Sequence, residues 1–203
     1  MRVLTGSRAA LPAGLYARIA GYRHRVFIER LGWQLASRDN REQDQFDRQD
    51  TVYVVAQDDT DSILGCARLL PTTDAYLLGT VFPELLNGAL PPCDPRVWEL
   101  SRFACAEPGR RSGFKTLVDF PTSDTARLMR EVMLCAQRHG AERLITVTWV
   151  GIERLLRRLG IRVSRAGPAV VHDGQHIVAC WIELECRSRL ASSPFRQLAL
   201  HGE

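Results

Sequence analysis

The residues best placed to do chemistry lie in Trp98-Glu99-Leu100-Ser101-Arg102-Phe103, with Arg68 on an earlier strand-like segment. A carboxylate and two guanidiniums inside otherwise apolar strands must be paired, because taking an unpaired ion out of water costs several kcal/mol. Such a set is either a structural ion pair between Glu99 and Arg68 or Arg102, or a site that orients a polar substrate and tunes a proton acceptor. Strand geometry adds a constraint. Period two puts Glu99 with Val97 and Ser101 and sends Arg102 to the opposite face, so both reach one site only if the strand bulges or ends before Arg102. A second set is Arg25, Phe27 and Trp33, followed by Glu42-Gln43-Asp44-Gln45-Phe46-Asp47. Two aromatics and an arginine at a helix end, beside a loop with three carboxylates, suit a ligand with a flat apolar part and a cationic part. The alternative is that Phe27 and Trp33 belong to the core and the acids form a solvated face.

The elements that must position these residues are legible in part. Leu15, Ile19, Tyr22 and Val26 recur at helical spacing and predict an amphipathic first helix over Leu11 to Arg30. Gly32 to Asp50 loses periodicity and reads as an ordered loop or flap. Thr51 to Gln57 and Ser62 to Leu70 form a predicted hairpin across Asp58 to Asp61. A short helical piece is expected near Val81 to Leu86, a strand over Arg96 to Ala104, and a Gly, Pro and Arg-rich loop over Glu107 to Lys115. Thr122 to Arg138 has the apolar spacing of a core-facing helix, ended by His139-Gly140. Arg143 to Trp149 is a predicted strand and Ile152 to Leu159 a helix stopped by Gly160. Strands near Ala169 to Val171 and Gln175 to Glu185 follow, and the tail from Cys186 is expected to be loosely held. Hairpin strands followed by strands separated by helices predict an α/β sandwich with a mixed sheet, as one domain over 1–203.

Composition narrows the function. The 203 residues carry 27 Lys+Arg against 23 Asp+Glu, 45% apolar and 25% charged, the profile of a globular domain. The basic charge is nearly all arginine, Lys115 being the lone lysine, and it is interleaved with acids rather than gathered in a stripe, which argues against nucleic acid. No apolar run approaches the roughly 20 residues of a membrane span, and no signal-like segment opens the chain, so a cytoplasmic location is expected. The six cysteines contain no C-x-x-C pair and read as reduced, buried residues. His172 and His176 flank a turn, Asp173-Gly174, rather than one helix face, so no metal site is expected.

Taken together, Tyr22 to Phe27, Leu31-Gly32-Trp33, Glu42-x-Asp44-x-Phe46-Asp47, Cys66 to Pro71, Trp98 to Phe103 and Val147 to Glu153 resemble the acyl-homoserine lactone synthases, the autoinducer synthases of bacterial quorum sensing. The likeness runs from about Tyr22 to Glu185; Ala106 to Asp119 resembles nothing placed. The resemblance implies a fold similar to the GNAT acetyltransferases: an α/β/α sandwich with a mixed, largely antiparallel sheet. It implies transfer of an acyl chain, of about eight carbons, from acyl carrier protein (or acyl-CoA) to the amine of S-adenosylmethionine. Closure of the lactone then releases 5′-methylthioadenosine. S-adenosylmethionine is a substrate, and no cofactor or metal is called for. On that basis Arg25, Phe27, Trp33, Asp44, Asp47, Arg68, Arg102 and Phe103 would bind S-adenosylmethionine, with Arg102 or Arg25 on its carboxylate. Glu99 would be the proton acceptor, with Glu42 as second candidate and Arg102 the third catalytic residue. Leu100, Met129, Met133, Leu144, Thr146, Thr148, Trp149 and Leu155 would line the acyl tunnel, Thr146 and Thr148 being placed to bond an oxygen at the third carbon. Arg110, Arg111, Arg154, Arg157 and Arg158 would dock the acidic carrier protein. Two competing readings are a GNAT-type acyl-CoA transferase acting on another amine and a non-catalytic sensor of S-adenosylmethionine or a signal. Arg110-Arg111-Ser112-Gly113-Phe114 has only one glycine of the pyrophosphate turn usual in the former.

Overall fold

A computed structural model describes residues 1–105 and 123–184. The expected loop from Glu107 to Lys115 and the tail from Cys186 lie outside these residues. The chain opens with β1 (Arg2–Ser7), a strand that the sequence reading did not predict. It is an edge strand whose exposed and half-buried residues carry little alternation, and it is recruited antiparallel to β4 (Val52–Gln57). Between them, α1 (Leu15–Arg23) starts after Pro12 and Gly14, later than expected, and runs into a π-helical turn over His24–Arg30. The loop that follows holds a small hairpin, β2 (Ser37–Arg38) and β3 (Arg41–Glu42), turned by Asp39 and Asn40 at φ 53° and 56°. Tight two-residue hairpins need such left-handed residues, which Asp and Asn tolerate.

The predicted hairpin is β4 with β5 (Ile63–Pro71), and β5 pairs antiparallel with β6 (Val97–Cys105). The helical piece between them is α2 (Leu77–Val81), earlier than expected, followed by a 3-10 turn at Pro83–Leu86. Then come α3 (Ser123–Arg138), β7 (Arg143–Trp149), α4 (Val150–Arg158), β8 (Val163–Arg165), β9 (Val170–His172) and β10 (Gln175–Glu183). Three-residue β8 was too short to give a pattern. The sheet order is β1-β4-β5-β6-β7-β10-β8, with β9 also on β10, and among the described residues β6 with β7 is the one parallel pair. This is the predicted α/β sandwich.

Side-chain alternation sorts the core into two faces. Val54, Leu69, Leu100, Leu144 and Cys180 pack beneath α3 and α4. Tyr53, Val55 and Cys66 pack under α1, and Leu70, Ile145 and Ala179 under α2 and its flanking loops. The layers are close-fitting at Gly65, where a Cβ would lie 2.7 Å from Leu128 Cδ2 and 2.8 Å from the Ala104 carbonyl oxygen. The carbonyl is backbone of the paired strand and cannot retreat. Gly65→Ala is therefore expected to destabilise the fold by about 1–3 kcal/mol, read as a lower urea midpoint with an unchanged slope.

Candidate functional site

β6 and β7 are in register at Val97/Arg143, Trp98/Leu144 and Glu99/Ile145 and no further. Beyond these pairs both strands continue, β6 to Cys105 and β7 to Trp149, and they diverge. A cavity of about 570 Å³ fills the opening and reaches both faces of the sheet. On the α1 side its wall is Phe27, Trp33, Phe82, Ser101, Arg102 and Trp149; on the α3 and α4 side it is Leu100, Phe103, Met129, Thr146, Thr148 and Leu155, continued by Leu156 and Leu159. This volume is in the range of small-molecule sites.

Of the two arrangements that the spacing allows, a bulge or a strand that ends before Arg102, the bulge is present. Cys66 pairs with Ala104 and Arg68 with Ser101, so Ala67 opposes two residues, Arg102 and Phe103. Arg102 takes a left-handed backbone, φ 51°, which turns its side chain to the same face as Glu99 and Ser101. On that face, three guanidiniums interlock with three carboxylates. Arg23 donates from Nε to Glu42 at 2.5 Å and from Nη1 and Nη2 to Asp47 at 2.7 and 3.1 Å. Arg68 donates from Nη1 to Asp44 and Asp47 and from Nε to the Ser101 hydroxyl at 3.0 Å. Arg102 donates from Nη2 to Glu42 and Asp44, both at 3.0 Å. Arg23, Arg68 and Glu42 are wholly buried. With three charges of each sign the cluster is neutral, the condition under which such burial is tolerated.

Burial alone would raise the Asp47 carboxyl, but Arg23, Arg68 and the hydroxyl hydrogen bond from Tyr53 outweigh it and hold it well below its usual 3.8. Glu99 differs. Burial pushes it up to about 6, against the N–H groups of Leu77 and Leu78, which donate to its two oxygens at 3.0 and 2.6 Å, and the guanidiniums of Arg68 and Arg102. Glu99 thus holds the start of α2, whose residues Leu77 and Val81 line the cavity.

The structure redistributes several of the expected roles. Phe27 and Trp33 meet as predicted: the π-helical turn, with Leu31 N–H donating to the Val26 carbonyl and Trp33 N–H to that of Phe27, folds the chain back on itself. Their rings stack at 4.9 Å, and Trp149 meets Trp33 edge-on at 5.8 Å. Arg25 is a correction. It is exposed, and Arg23, two residues earlier and so on nearly the opposite side of the helix, is the arginine turned inward. Asp44, Asp47 and Arg68 are not among the residues that line the cavity and pair instead within the ion cluster. Glu42, the second candidate acceptor, is clasped by Arg23 and Arg102. Met133 is a further correction: one turn along α3 from Met129, it packs on the core and not on the cavity. Arg23, Tyr53 and Ser101 were missed as site residues. Arg23 did leave a signal, a charge at i+4 from Ile19 and i+8 from Leu15 on the apolar stripe.

A sheet whose parallel central pair splays around a cavity, with helices on both faces, is the acyltransferase fold. An acyl-CoA N-acyltransferase from Pseudomonas aeruginosa shares it at TM-score 0.58 and 15% identity, over 89% of this chain and 97% of that one. The comparison with sequences is more specific. The autoinducer synthase family model matches residues 15–190. An acyl-homoserine-lactone synthase of Ralstonia solanacearum is 49% identical over 189 residues, 91% of this chain and 90% of its own. A crystal structure of TofI, in a ternary complex with an inhibitor and MTA, superposes at TM-score 0.79 with 43% identity, over 94% of this chain and 96% of that one. The chain belongs to the autoinducer synthase family and is an acyltransferase of the acyl-homoserine-lactone synthase type.

Asp47→Asn leaves two buried guanidiniums undercompensated and is expected to cost about 3–5 kcal/mol. Because the native Asp47 carboxyl titrates below its unfolded value, the stability it supplies is complete above about pH 4 and is lost as the pH falls. Urea denaturation between pH 3 and 7 should show that acid loss in the wild type and a flatter profile in the variant.

Proposed function

We propose that the cavity binds S-adenosylmethionine on the α1 side of the sheet and an acyl thioester, carried by acyl carrier protein, on the α3 and α4 side, and joins them where β6 and β7 part. The observation that carries this reading is the cavity itself, aromatic and cationic toward α1, apolar toward α4, and continuous through the sheet. Phe27 and Trp33, joined by Trp149, which was expected in the acyl tunnel but lies against Trp33 on the α1 side, offer flat faces for adenine and sulfonium. Arg102, on the wall, offers its guanidinium to the methionine carboxylate. Phe103, expected in the S-adenosylmethionine set but placed on the α3 and α4 side, accepts the chain together with Leu100, Met129, Thr146, Thr148 and Leu155, and about eight carbons is the expected length. The facing edges of β6 and β7 beyond Glu99 and Ile145 have no strand partner in each other. They suit the amide groups of a pantetheine arm, as in strand addition, and supply N–H groups for a carbonyl oxygen that becomes anionic.

The proposed first step is attack of the neutral methionine amine on the thioester carbonyl. A C–N bond forms, the tetrahedral oxyanion collapses, and the C–S bond to the carrier breaks, the thiol taking a proton. Glu99 accepts the amine proton through a water, and its placement near 6 suits it to exchange protons at neutral pH. In the second step the methionine carboxylate attacks the carbon bonded to the sulfonium. The lactone closes and the C–S electron pair leaves on 5′-methylthioadenosine, a step that needs mainly alignment. The exposed arginines of α4, Arg154 and Arg158, with Arg157, which also pairs with Glu153 at 3.0 Å, give the carrier's acidic surface a docking point.

Mass spectrometry of the purified chain with S-adenosylmethionine and a panel of carrier-protein and CoA thioesters is expected to show lactone and methylthioadenosine in equal amounts, best with the eight-carbon carrier thioester. Thiol release without lactone would point to a transferase with another amine acceptor, and no product at all to a sensor. Glu99→Gln is expected to lower kcat by about 10²–10⁴-fold with a small change in S-adenosylmethionine affinity. The wild-type kcat/KM should rise through pH 6 as Glu99 ionises, and the variant should lose that limb. Equal loss of binding and turnover would make Glu99 only the anchor of α2.

A further inference from the structure

The cosubstrate carries a positive charge for which the cavity wall must provide, and the acids expected to face it do not. Asp44 is held by Arg68 and Arg102, and Asp47 by Arg23 and Arg68, behind the wall. Among the described residues that line the cavity one carboxylate remains, Asp173, at the tip of the β9–β10 hairpin. It shares this rim with His172, Gln175 and Phe82. The His172 ring meets Phe82 edge-on at 5.2 Å, and its Nε2 lies 3.6 Å from Asp173 Oδ2.

We infer that Asp173 is a specificity-determining residue, the carboxylate that attracts cationic S-adenosylmethionine to the cavity mouth and distinguishes it from the neutral by-product, 5′-methylthioadenosine. The inference rests on the reading of the cavity as an S-adenosylmethionine site. When the lactone closes, the sulfonium becomes a thioether and the net attraction to a carboxylate ends, so the same residue that favours entry of the substrate does nothing to retain the by-product. The side chain of Asp173 is 83% exposed, so its effect is screened by water and salt. It acts chiefly on association.

A competing account is that Asp173 only serves the turn. Asp173 and Gly174 have φ 49° and 73° and close a two-residue hairpin between paired His172 and Gln175, a position that suits aspartate for conformational reasons alone. Asparagine suits it at least as well, so Asp173→Asn keeps the turn and removes only the charge.

The test is rapid mixing of wild type and Asp173→Asn with S-adenosylmethionine or methylthioadenosine, followed by the fluorescence of Trp33 and Trp149. At low ionic strength the variant should bind S-adenosylmethionine about threefold more weakly, through slower association. The difference should close at about 0.5 M salt, and methylthioadenosine should bind both proteins alike. Unchanged S-adenosylmethionine affinity, or an equal loss for methylthioadenosine, overturns the inference and leaves the functional reading intact. A wild-type chain that binds no S-adenosylmethionine overturns both.

Discussion

Arg23, Arg68 and Arg102 interlock with Glu42, Asp44 and Asp47 in a volume that water scarcely enters, and the active side of the molecule is assembled around that contact. The six groups come from α1, the loop after it, β5 and β6, so no element can shift without stranding a charge. Desolvation makes the cluster costly in isolation, and its neutrality together with near-complete hydrogen bonding makes it tolerable. Its value here is geometric. It ties the long irregular segment that bears Phe46 and the β2–β3 hairpin to the sheet, and it holds Arg102 at the wall of the cavity by two of its nitrogens. A guanidinium so fixed meets an incoming carboxylate with little side-chain entropy left to lose.

The second constraint is the break between β6 and β7. Parallel pairing ends at Glu99 and Ile145, and the bulge opposite Ala67 follows a few residues further along β6, at Arg102 and Phe103. The extra residue brings Arg102 to the face that holds Glu99 and Ser101, beside the gap where the cavity reaches both faces of the sheet. Bulges are frequent beside active sites for this reason. The π-helical turn after α1 does comparable work on the same wall, where a wider turn lets Phe27 lie under Trp33.

Charge is divided between these constraints. Asp44, Asp47 and Glu42 are held by arginines behind the wall, Glu99 is raised to about 6 by burial at the foot of α2, and the described lining of the cavity is left with a guanidinium and a rim carboxylate. A site so arranged fixes the carboxylate end of a substrate firmly and its cationic part loosely. A reaction that consumes the carboxylate and expels a neutral fragment fits that asymmetry.

Much of this was written in local sequence. The β-rich apolar runs of Val52–Gln57 and Ile63–Pro71 read as central strands because both of their faces are buried, and the helical stripe of Ser123–Arg138 specifies a helix that buries one face. The charges of Trp98–Phe103 announce a buried ionic site because apolar strands do not carry unpaired ions, and period two limited the ways in which Glu99 and Arg102 could share it to a bulge or an early strand end. Edge strand β1 and short β8 were not legible, since their pairing depends on β4 and β10 rather than on any pattern of their own. Nor was the choice of Arg23 over Arg25, which follows from how α1 rotates against the sheet. Tertiary structure alone decided that Asp44 and Asp47 neutralise arginines while Asp173, distant in sequence, reaches the cavity. Which carboxylate stays free depends on which cations fold against the others, and that is a property of the packed molecule.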